Sequence, residues 1–187
     1  MRRKTNKDTR SNLDDMVASG KEGAYEALQL YKSKVNRHKF KKNWDEAISI
    51  SFQASICLLS HGYETAGGEM ANLLINLFEL SNSKLDIDNR SKINEIDSKF
   101  ITKSQIRQDF LKLTLKWSKI TGDRENGDIM INYLYACCLW ENNQINKAIY
   151  YFVLSESPEK LWIKINERYT DISTQPEREG ERERERE

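Results

Sequence analysis

Apolar residues recur along most of this chain at the three- and four-residue spacing of an amphipathic helix. The first such face follows the spacing i, i+3, i+4, i+7, i+11 and consists of Ala24, Ala27, Leu28, Tyr31 and Val35. A second apolar run begins at Trp44, and a basic segment over residues 37–43 lies between the two. This pattern predicts two antiparallel helices joined by a short basic connection.

The second of these helices differs from the first in its composition. No charged residue occurs over residues 47–60, and large apolar side chains are spread around most of the helix circumference. A helix that is apolar on nearly all sides is packed on nearly all sides. The run is too short and too rich in Ser and Gln to span a membrane, which takes about 20 apolar residues. We therefore expect an inner helix between two neighbours.

The same spacing predicts further helices on both sides of this pair. A short helix is expected to begin near Thr9 or Ser11 and to end at Gly20, a suitable C-cap. A weaker, polar segment over residues 85–100 predicts a short outer helix. The expected start signals of the other helices are Thr65, Thr102 or Ser104, Asp128 and Pro158.

No segment alternates with a period of two for long enough to predict a strand, so the fold class is all-α. Residues 24–27, 43–48 and 145–150 each place a bulky residue shortly before a small alanine, just after a turn. Tetratricopeptide-like (TPR-like) hairpins use this arrangement because alanine lets the second helix approach closely. The spacing is not a clean 34-residue period. We therefore expect an α-solenoid of TPR-like antiparallel helical hairpins rather than a strict repeat array.

The two ends of the chain differ in composition from the part between them. Residues 1–9 are expected to form a disordered basic arm, residues 10–172 the solenoid, and residues 173–187 a low-complexity Glu/Arg tail. The alternation of Glu and Arg in that tail is what a GA dinucleotide repeat would encode. Two interpretations stay open: simple-sequence DNA read through after a truncated or alternatively spliced frame, and a solvated charged tail.

Composition favours a single helical domain in a reducing compartment. The 187 residues include only two prolines and eight glycines, which fits long helices with few breaks. Three cysteines form no disulfide or metal spacing, and we expect them to act as small apolar residues. No apolar segment follows the basic N-terminus, so a secretory signal is not expected. We expect a cytoplasmic (cytosolic) protein.

The residue types that carry chemistry do not form a catalytic pattern. The only two histidines, His38 and His61, lie in no metal-ligand spacing. The adjacent Cys137 and Cys138 have no histidine nearby in the pattern, so we interpret them as core residues. The four tryptophans lie at helix-stripe positions or beside them, and packing explains them better than base stacking does: Trp44, Trp117, Trp140 and Trp162. We therefore expect no enzyme, no cofactor and no metal site.

Charge is distributed unevenly along the chain. Residues 1–42 carry 12 Lys/Arg against 5 Asp/Glu, a net +7, so the remaining residues sum to −6 for the total of +1. No acidic residue occurs over residues 32–43. The candidate partner-binding cations of this segment are Lys32, Lys34, Arg37, Lys39, Lys41 and Lys42. Such a cluster favours an acidic partner, although nucleic acid would satisfy the same field and a solvated helix face is the ordinary alternative.

Several stretches of the sequence together resemble a known family. The matching stretches are residues 25–31 (Tyr-Glu-Ala-Leu-Gln-Leu-Tyr), 44–48 (Trp-Asp-Glu-Ala-Ile), 60–62 with 67–70, 115–118, and 139–141 followed by 148–152. No one of them is diagnostic, but they occur in the right order from about residue 11 to residue 170. In the order and spacing of these stretches the sequence is similar to the Golgi-to-ER traffic protein 4 family, the helical scaffold of the tail-anchored protein insertion pathway.

The resemblance implies an α-solenoid adaptor of the GET complex whose N-terminal helices bind the tail-anchored-protein targeting ATPase. The ATPase contacts of the family would fall on Arg10 and on the group of Arg37, Lys41 and Lys42. Glu69 occupies the place of an acidic residue implicated in regulating the ATPase. Alternatively, Glu69 has a structural role: a negative charge near the N-terminus of a helix interacts favourably with the helix dipole.

The resemblance covers the N-terminal half of the family only. The C-terminal half, which holds a ubiquitin-like partner in that family, has no counterpart after about residue 172, which makes that partner doubtful for this chain. The alternative function is a basic helical-repeat module that binds RNA, or a generic protein-interaction module. RNA binding is the weaker hypothesis because we expect no exposed aromatic residue within the basic run.

Overall fold

The structure is a computed structural model that describes residues 13–101 and 103–173, with side chains as far as residue 167. The expected basic arm, Arg10 and Thr102 lie outside the described residues, and so does the Glu/Arg tail from residue 174 onward. The helices are α1 (13–18), α2 (Lys21–Phe40), α3 (Trp44–Ser60), α4 (Glu64–Leu80), α5 (Ile87–Asp97), α6 (Gln105–Thr121), α7 (Ile129–Glu141), α8 (Ile145–Leu154) and α9 (Pro158–Ser173).

The described residues contain no strand, and the prediction of an all-α solenoid is confirmed. Helices that follow one another pack together in a row: α2 on α3, α3 on α4, α6 on α7, α7 on α8 and α8 on α9. Helix α6 continues the row by packing on α4, while the short α5 lies against α3. The row therefore places α2 near one end of the described chain and α9 at the other.

Helix α3 is the inner helix that its composition predicts. None of its residues over 47–59 is exposed, and it contacts α2, α4 and α5. Ala47 and Ala54 are fully buried and allow the close approach of neighbouring helices. Ile48 packs on both apolar clusters of the chain, one centred on α1 to α4 and the other on α4 to α8. The core is thus continuous along the row.

Two of the expected helix boundaries are wrong. Helix α2 continues through Phe40, so the basic segment over residues 37–43 is mostly the last turn of α2, and only residues 41–43 connect it to α3. Cations favour the C-terminal end of a helix dipole, which is why this polar segment extends the helix instead of ending it. Thr65 is not a cap, because α4 begins at Glu64 after Tyr63.

Three other start signals are confirmed. The Ser104 hydroxyl accepts a hydrogen bond from the Arg107 backbone N–H at 3.2 Å and caps α6. Asp128 caps α7 by accepting from the backbone N–H groups of Met130 and Ile131. Pro158 is the first residue of α9, where its fixed φ suits a helix and its missing N–H costs nothing. The sequence analysis also correctly placed a short outer helix in residues 85–100.

Five of the helices from α2 to α8 are followed by a residue with positive φ directly after the C-cap. These residues are Lys42 (55°), Gly62 (80°), Asn82 (52°), Asn143 (58°) and Glu156 (53°). At the first of these turns the Lys42 N–H donates to the Lys39 carbonyl and the Asn43 N–H donates to the His38 carbonyl, both at 3.0 Å. This pair of bonds is a Schellman motif, which satisfies the last carbonyls of the helix. It fixes the direction in which the next helix leaves.

Two adjacent glycines allow α4 to pack closely on both sides. A Cβ atom at Gly67 would lie 2.5 Å from Leu59 Cγ of α3, and one at Gly68 would lie 2.2 Å from Ile106 Cγ2 of α6. Both distances are far below van der Waals contact. The Gly67–Gly68 pair is therefore required by helix packing and does not form a phosphate-binding loop.

A buried ion cluster joins three helices in the middle of the row. Arg107 of α6 donates to both carboxylate oxygens of Asp97, at 2.8 and 2.9 Å, and to Glu141 of α7 at 2.6 Å. Asp97 closes α5, and its side chain is only 5% exposed. The two carboxylates raise the pKa of Arg107 despite the opposing effect of burial. The cluster fixes the ends of α5 and α7 on the start of α6.

No helix among the described residues is both long enough and apolar enough to cross a bilayer.

Candidate functional site

The candidate site is the C-terminal end of α2 together with the turn that follows it. Arg37, His38 and Lys39 lie in the last turn of α2, Lys41 is its C-cap, and Lys42 is the positive-φ residue of the Schellman motif. Arg37, Lys41 and Lys42 are exposed, whereas Lys32, Lys34 and Lys39 are half-buried. We call Arg37, Lys39, Lys41 and Lys42, with Phe40 among them, the basic corner.

The structure divides five of the six predicted cations between two edges of α2. Lys34, Arg37 and Lys41 follow the helical spacing i, i+3, i+7 and share one edge with Leu30. Burial and, to a smaller extent, the nearby charge of Arg37 lower the pKa of Lys34. Lys32 and Lys39 are seven residues apart and share the opposite edge, beyond the buried stripe. The sixth cation, Lys42, lies in the turn after the helix.

The edge with Lys32 and Lys39 is partly neutralised by an acidic residue of α4. The Lys32 ammonium donates to Glu69 Oε1 at 2.5 Å, and the two side chains are 33% and 50% exposed. This contact brings together a predicted partner-binding residue and the predicted regulatory residue. Glu69 lies in the second turn of α4, beyond the first turn in which the helix dipole acts most strongly. The dipole alone therefore does not account for an acidic residue at this position.

An exposed aromatic residue lies inside the basic corner. Phe40 is 90% exposed, so our expectation that no exposed aromatic residue would occur within the basic run is wrong. On the same helix Tyr25 is 67% exposed, and Leu30 borders the row of Lys34 and Arg37. The end of α2 therefore presents apolar as well as positively charged surface.

Helix α1 is held against α2 by one side-chain hydrogen bond and one close backbone approach. The Tyr31 hydroxyl donates to Asp14 Oδ1 at 2.8 Å. A Cβ atom at Gly23 would lie 2.2 Å from the Met16 carbonyl oxygen, so only glycine fits there. An acidic residue at position 14 thus has a structural role in the packing of the first two described helices.

The other chemistry-bearing residues of the described chain have structural surroundings. Burial raises the pKa of the Cys138 thiol to about 11 and also raises that of Cys137, which fits core residues rather than nucleophiles. His61 contacts the Cys57 carbonyl and His38 contacts the Asn43 amide. Within the described ranges no group of three or more His, Cys, Asp or Glu side chains could hold a metal ion.

The tryptophans differ in their burial. Trp117 is buried and stacks on Phe78, with ring centroids 5.0 Å apart. Trp162 of α9 is 65% exposed, so packing within the described residues does not account for it. The neighbouring Leu161 packs against the central apolar cluster. Helix α9 contacts α8, and its outer face carries Trp162 and Ile163.

The sequence profile of the family described as Golgi to ER traffic protein 4 matches residues 41–182. The chain belongs to this family. The match begins at Lys41, so Arg10 and the cations from Lys32 to Lys39 precede it. It ends ten residues beyond the expected solenoid boundary at residue 172, inside the segment that we interpret as a tail.

Individual members of the family agree with this assignment. The Golgi to ER traffic protein 4 homolog of Oryzias latipes is 24% identical over 135 residues, which cover 72% of this chain and 42% of that protein. The Golgi to ER traffic protein 4 of Schizosaccharomyces pombe is 22% identical over 109 residues, 58% of this chain and 36% of that protein. The predicted family is confirmed.

A solved structure shows the same fold. The crystal structure of C. therm. Get4 superposes with a TM-score of 0.79 at 29% sequence identity, covering 86% of this chain and 52% of that one. The chain thus spans about half of the C. therm. protein and less than half of the relatives above. Membership of the family supports a role in Golgi to ER traffic.

Proposed function

We propose that this chain is a cytosolic, non-enzymatic scaffold of the GET complex in the post-translational insertion of tail-anchored membrane proteins into the ER. In this proposal it docks the targeting ATPase through the basic corner. The observation that carries the proposal is the exposure of Arg37, Lys41 and Lys42 at one helix end, with no acidic residue over residues 32–43. Family membership supports the pathway, and the exposed cations support the docking surface.

Electrostatics explains what such a corner contributes to docking. An exposed charge pair adds little affinity, typically about 1 kcal/mol or less. A cluster of like charges raises the rate of encounter with an acidic surface and fixes its orientation. The C-terminal end of α2 adds a partial negative charge of its own, which the cations of the last turn offset. The corner is therefore suited to steer a partner that carries carboxylates.

Arg10 and Glu69 complete the proposed site. Arg10, outside the described residues, is included because the family resemblance assigns it an ATPase contact. Glu69 is proposed as a regulatory residue because its carboxylate already contacts one of the cations, Lys32. A pull-down with the ubiquitin-like partner, in parallel with the ATPase, tests whether that partner binds this chain.

Charge reversal with a charge-matched control tests the proposed docking surface. The variant Arg37→Glu/Lys41→Glu/Lys42→Glu should bind the purified ATPase at least about tenfold more weakly in calorimetric titrations. The control Lys112→Glu/Lys116→Glu/Lys119→Glu changes the net charge equally on exposed positions of α6 and should bind as the parent does. Docking at the basic corner is contradicted if both triple variants weaken ATPase binding equally, or if neither variant weakens it.

A further inference from the structure

Phe40 is the most exposed large apolar side chain in the part of the chain that the structure describes, at 90%. It lies nine residues, or two and a half helical turns, after the buried Tyr31 and thus on the opposite side of α2. Phe40 is not needed for the core, since it makes no part of either apolar cluster. Single exposed apolar side chains are common on protein surfaces, so the role of Phe40 has to be argued from its surroundings.

The backbone around Phe40 is fixed before any partner arrives. Phe40 is the last residue of α2, and the Schellman bonds from Lys42 and Asn43 close the turn directly after it. A phenylalanine side chain has only two rotatable bonds, so little conformational entropy is lost when it is immobilised. The ring is therefore presented on a rigid helix end, in the manner of an interface anchor.

The charges around the ring specify the chemistry of its binding pocket. Arg37 lies one turn before Phe40, and Lys39, Lys41 and Lys42 flank it in sequence. We propose that Phe40 is the apolar anchor of the docking surface and inserts into an apolar pocket with a rim of carboxylates on the protein partner. This inference rests on the proposed function, because it names a further residue of the same surface.

A protein pocket fits these surroundings better than nucleic acid does. Nucleic-acid platforms stack successive bases on several aromatic side chains, whereas the basic corner presents one ring, Phe40.

The test substitutes the ring and keeps the charges. Phe40→Ala should weaken binding of the purified ATPase by at least about tenfold, the loss typical of a buried anchor. Because no charge changes, the dependence of affinity on salt should stay as in the parent. Phe40→Leu should recover most of the affinity. Ile163→Ala is the matched control, since Ile163 is 55% exposed on α9 at the other end of the row of helices, and it should bind as the parent does.

The outcomes separate this inference from the proposed function. Parental ATPase affinity in Phe40→Ala, with weakened binding in the Arg37, Lys41 and Lys42 charge-reversal variant, overturns the anchor and leaves the docking surface in place. Parental affinity in both overturns the docking surface itself. Parental ATPase affinity in Phe40→Ala, with loss of binding to single-stranded RNA or to phosphatidylserine vesicles, assigns the ring to one of those ligands and also overturns the proposal.

Discussion

Lys32 Nζ lies 2.5 Å from Glu69 Oε1, so an ion pair joins the middle of α2 to the second turn of α4. Both side chains are partly exposed, and pairs of this kind contribute about 0–1 kcal/mol to stability. A carboxylate from an acidic partner could therefore replace Glu69 on Lys32 at small cost. In the proposed docking, the Glu69 carboxylate would therefore compete with the partner for Lys32.

This relationship predicts that Glu69 limits affinity. Glu69→Gln keeps the shape of the side chain but removes its charge, so it should strengthen binding of the ATPase by about threefold, which corresponds to less than 1 kcal/mol. The unfolding midpoint should change little. Calorimetric titrations at low and physiological salt measure the effect, and Glu79→Gln, an exposed position on the same helix, is the control.

A weaker complex with Glu69→Gln would contradict the competition. It would show that the carboxylate contacts the partner directly, and Lys32 would then serve to hold Glu69 in place. The double variant Glu69→Gln/Lys32→Gln separates competition from direct contact. If Glu69 competes with the partner for Lys32, the effects of the two substitutions on ATPase affinity are non-additive.

The helices were predictable because their signals are local. Ser104, Asp128 and Pro158 are start signals that depend on the neighbouring residues only. The uncharged run over residues 47–60 predicted the inner helix, since burial on all sides is required for such a composition. The end of α2 was misplaced because lysine and arginine occur both in connections and in the last turn of a helix.

The contacts between distant helices were not predictable in the same way. Lys32 and Glu69 are 37 residues apart, and Arg107 and Glu141 are 34 apart, so no local spacing connects them. The exposure of Phe40 depends on which side of α2 faces the row of helices. The positive φ of Lys42 was also missed, because glycine and asparagine are the usual signals of that conformation and lysine is not.

The backbone at Lys42 predicts opposite effects on stability and binding. Lysine at φ 55° has a Cβ in the left-handed region, whereas glycine occupies the equivalent turn at position 62 without that cost. Lys42→Gly should therefore raise the free energy of unfolding by about 0.5–1 kcal/mol. It should also weaken ATPase binding, because one exposed cation is lost. Urea denaturation and titration measure the two changes on one variant.

The equivalent turn supplies the control for this prediction. Gly62→Ala meets no atom within 4 Å but has φ +80°, so it should lower the free energy of unfolding by about 1 kcal/mol through strain alone. Lys42→Asn removes the charge but keeps a residue that tolerates the conformation. If Lys42→Gly were destabilising while Gly62→Ala was neutral, the strain argument would be wrong.

The Arg107 cluster predicts a large loss of stability. Arg107→Ala leaves the Asp97 carboxylate buried without its bidentate partner, and removing one member of such a pair costs about 3–5 kcal/mol. The urea midpoint should fall accordingly. The control is Arg124→Ala, which breaks an exposed ion pair with Glu156 and should change the urea midpoint little. Similar losses in the two variants would contradict a structural role specific to the buried cluster.

Burial of thiol and phenol groups predicts that the fold loses stability at alkaline pH. Burial raises the pKa of Cys138 from 9.0 to about 11 and that of Tyr133 from 10.0 to about 12. The folded state thus holds these protons more tightly than the unfolded state does. Their contribution is fully present below pH 9 and is lost as the pH rises towards 11 and 12. Cys138 alone accounts for about 3 kcal/mol, since its pKa rises by two units at about 1.4 kcal/mol each.

Urea midpoints measured from about pH 8 to about pH 11 follow this loss directly. Cys138→Ala removes one titrating group, so its midpoint should fall less steeply over this range, although its stability at pH 8 is lower because of the small cavity. Ser55→Ala is the control, since Ser55 is buried in α3 and has no group that titrates in this range, and its slope should match the parent. Parallel slopes for the parent and Cys138→Ala would mean that the thiol proton is held no more tightly in the fold than in the unfolded chain.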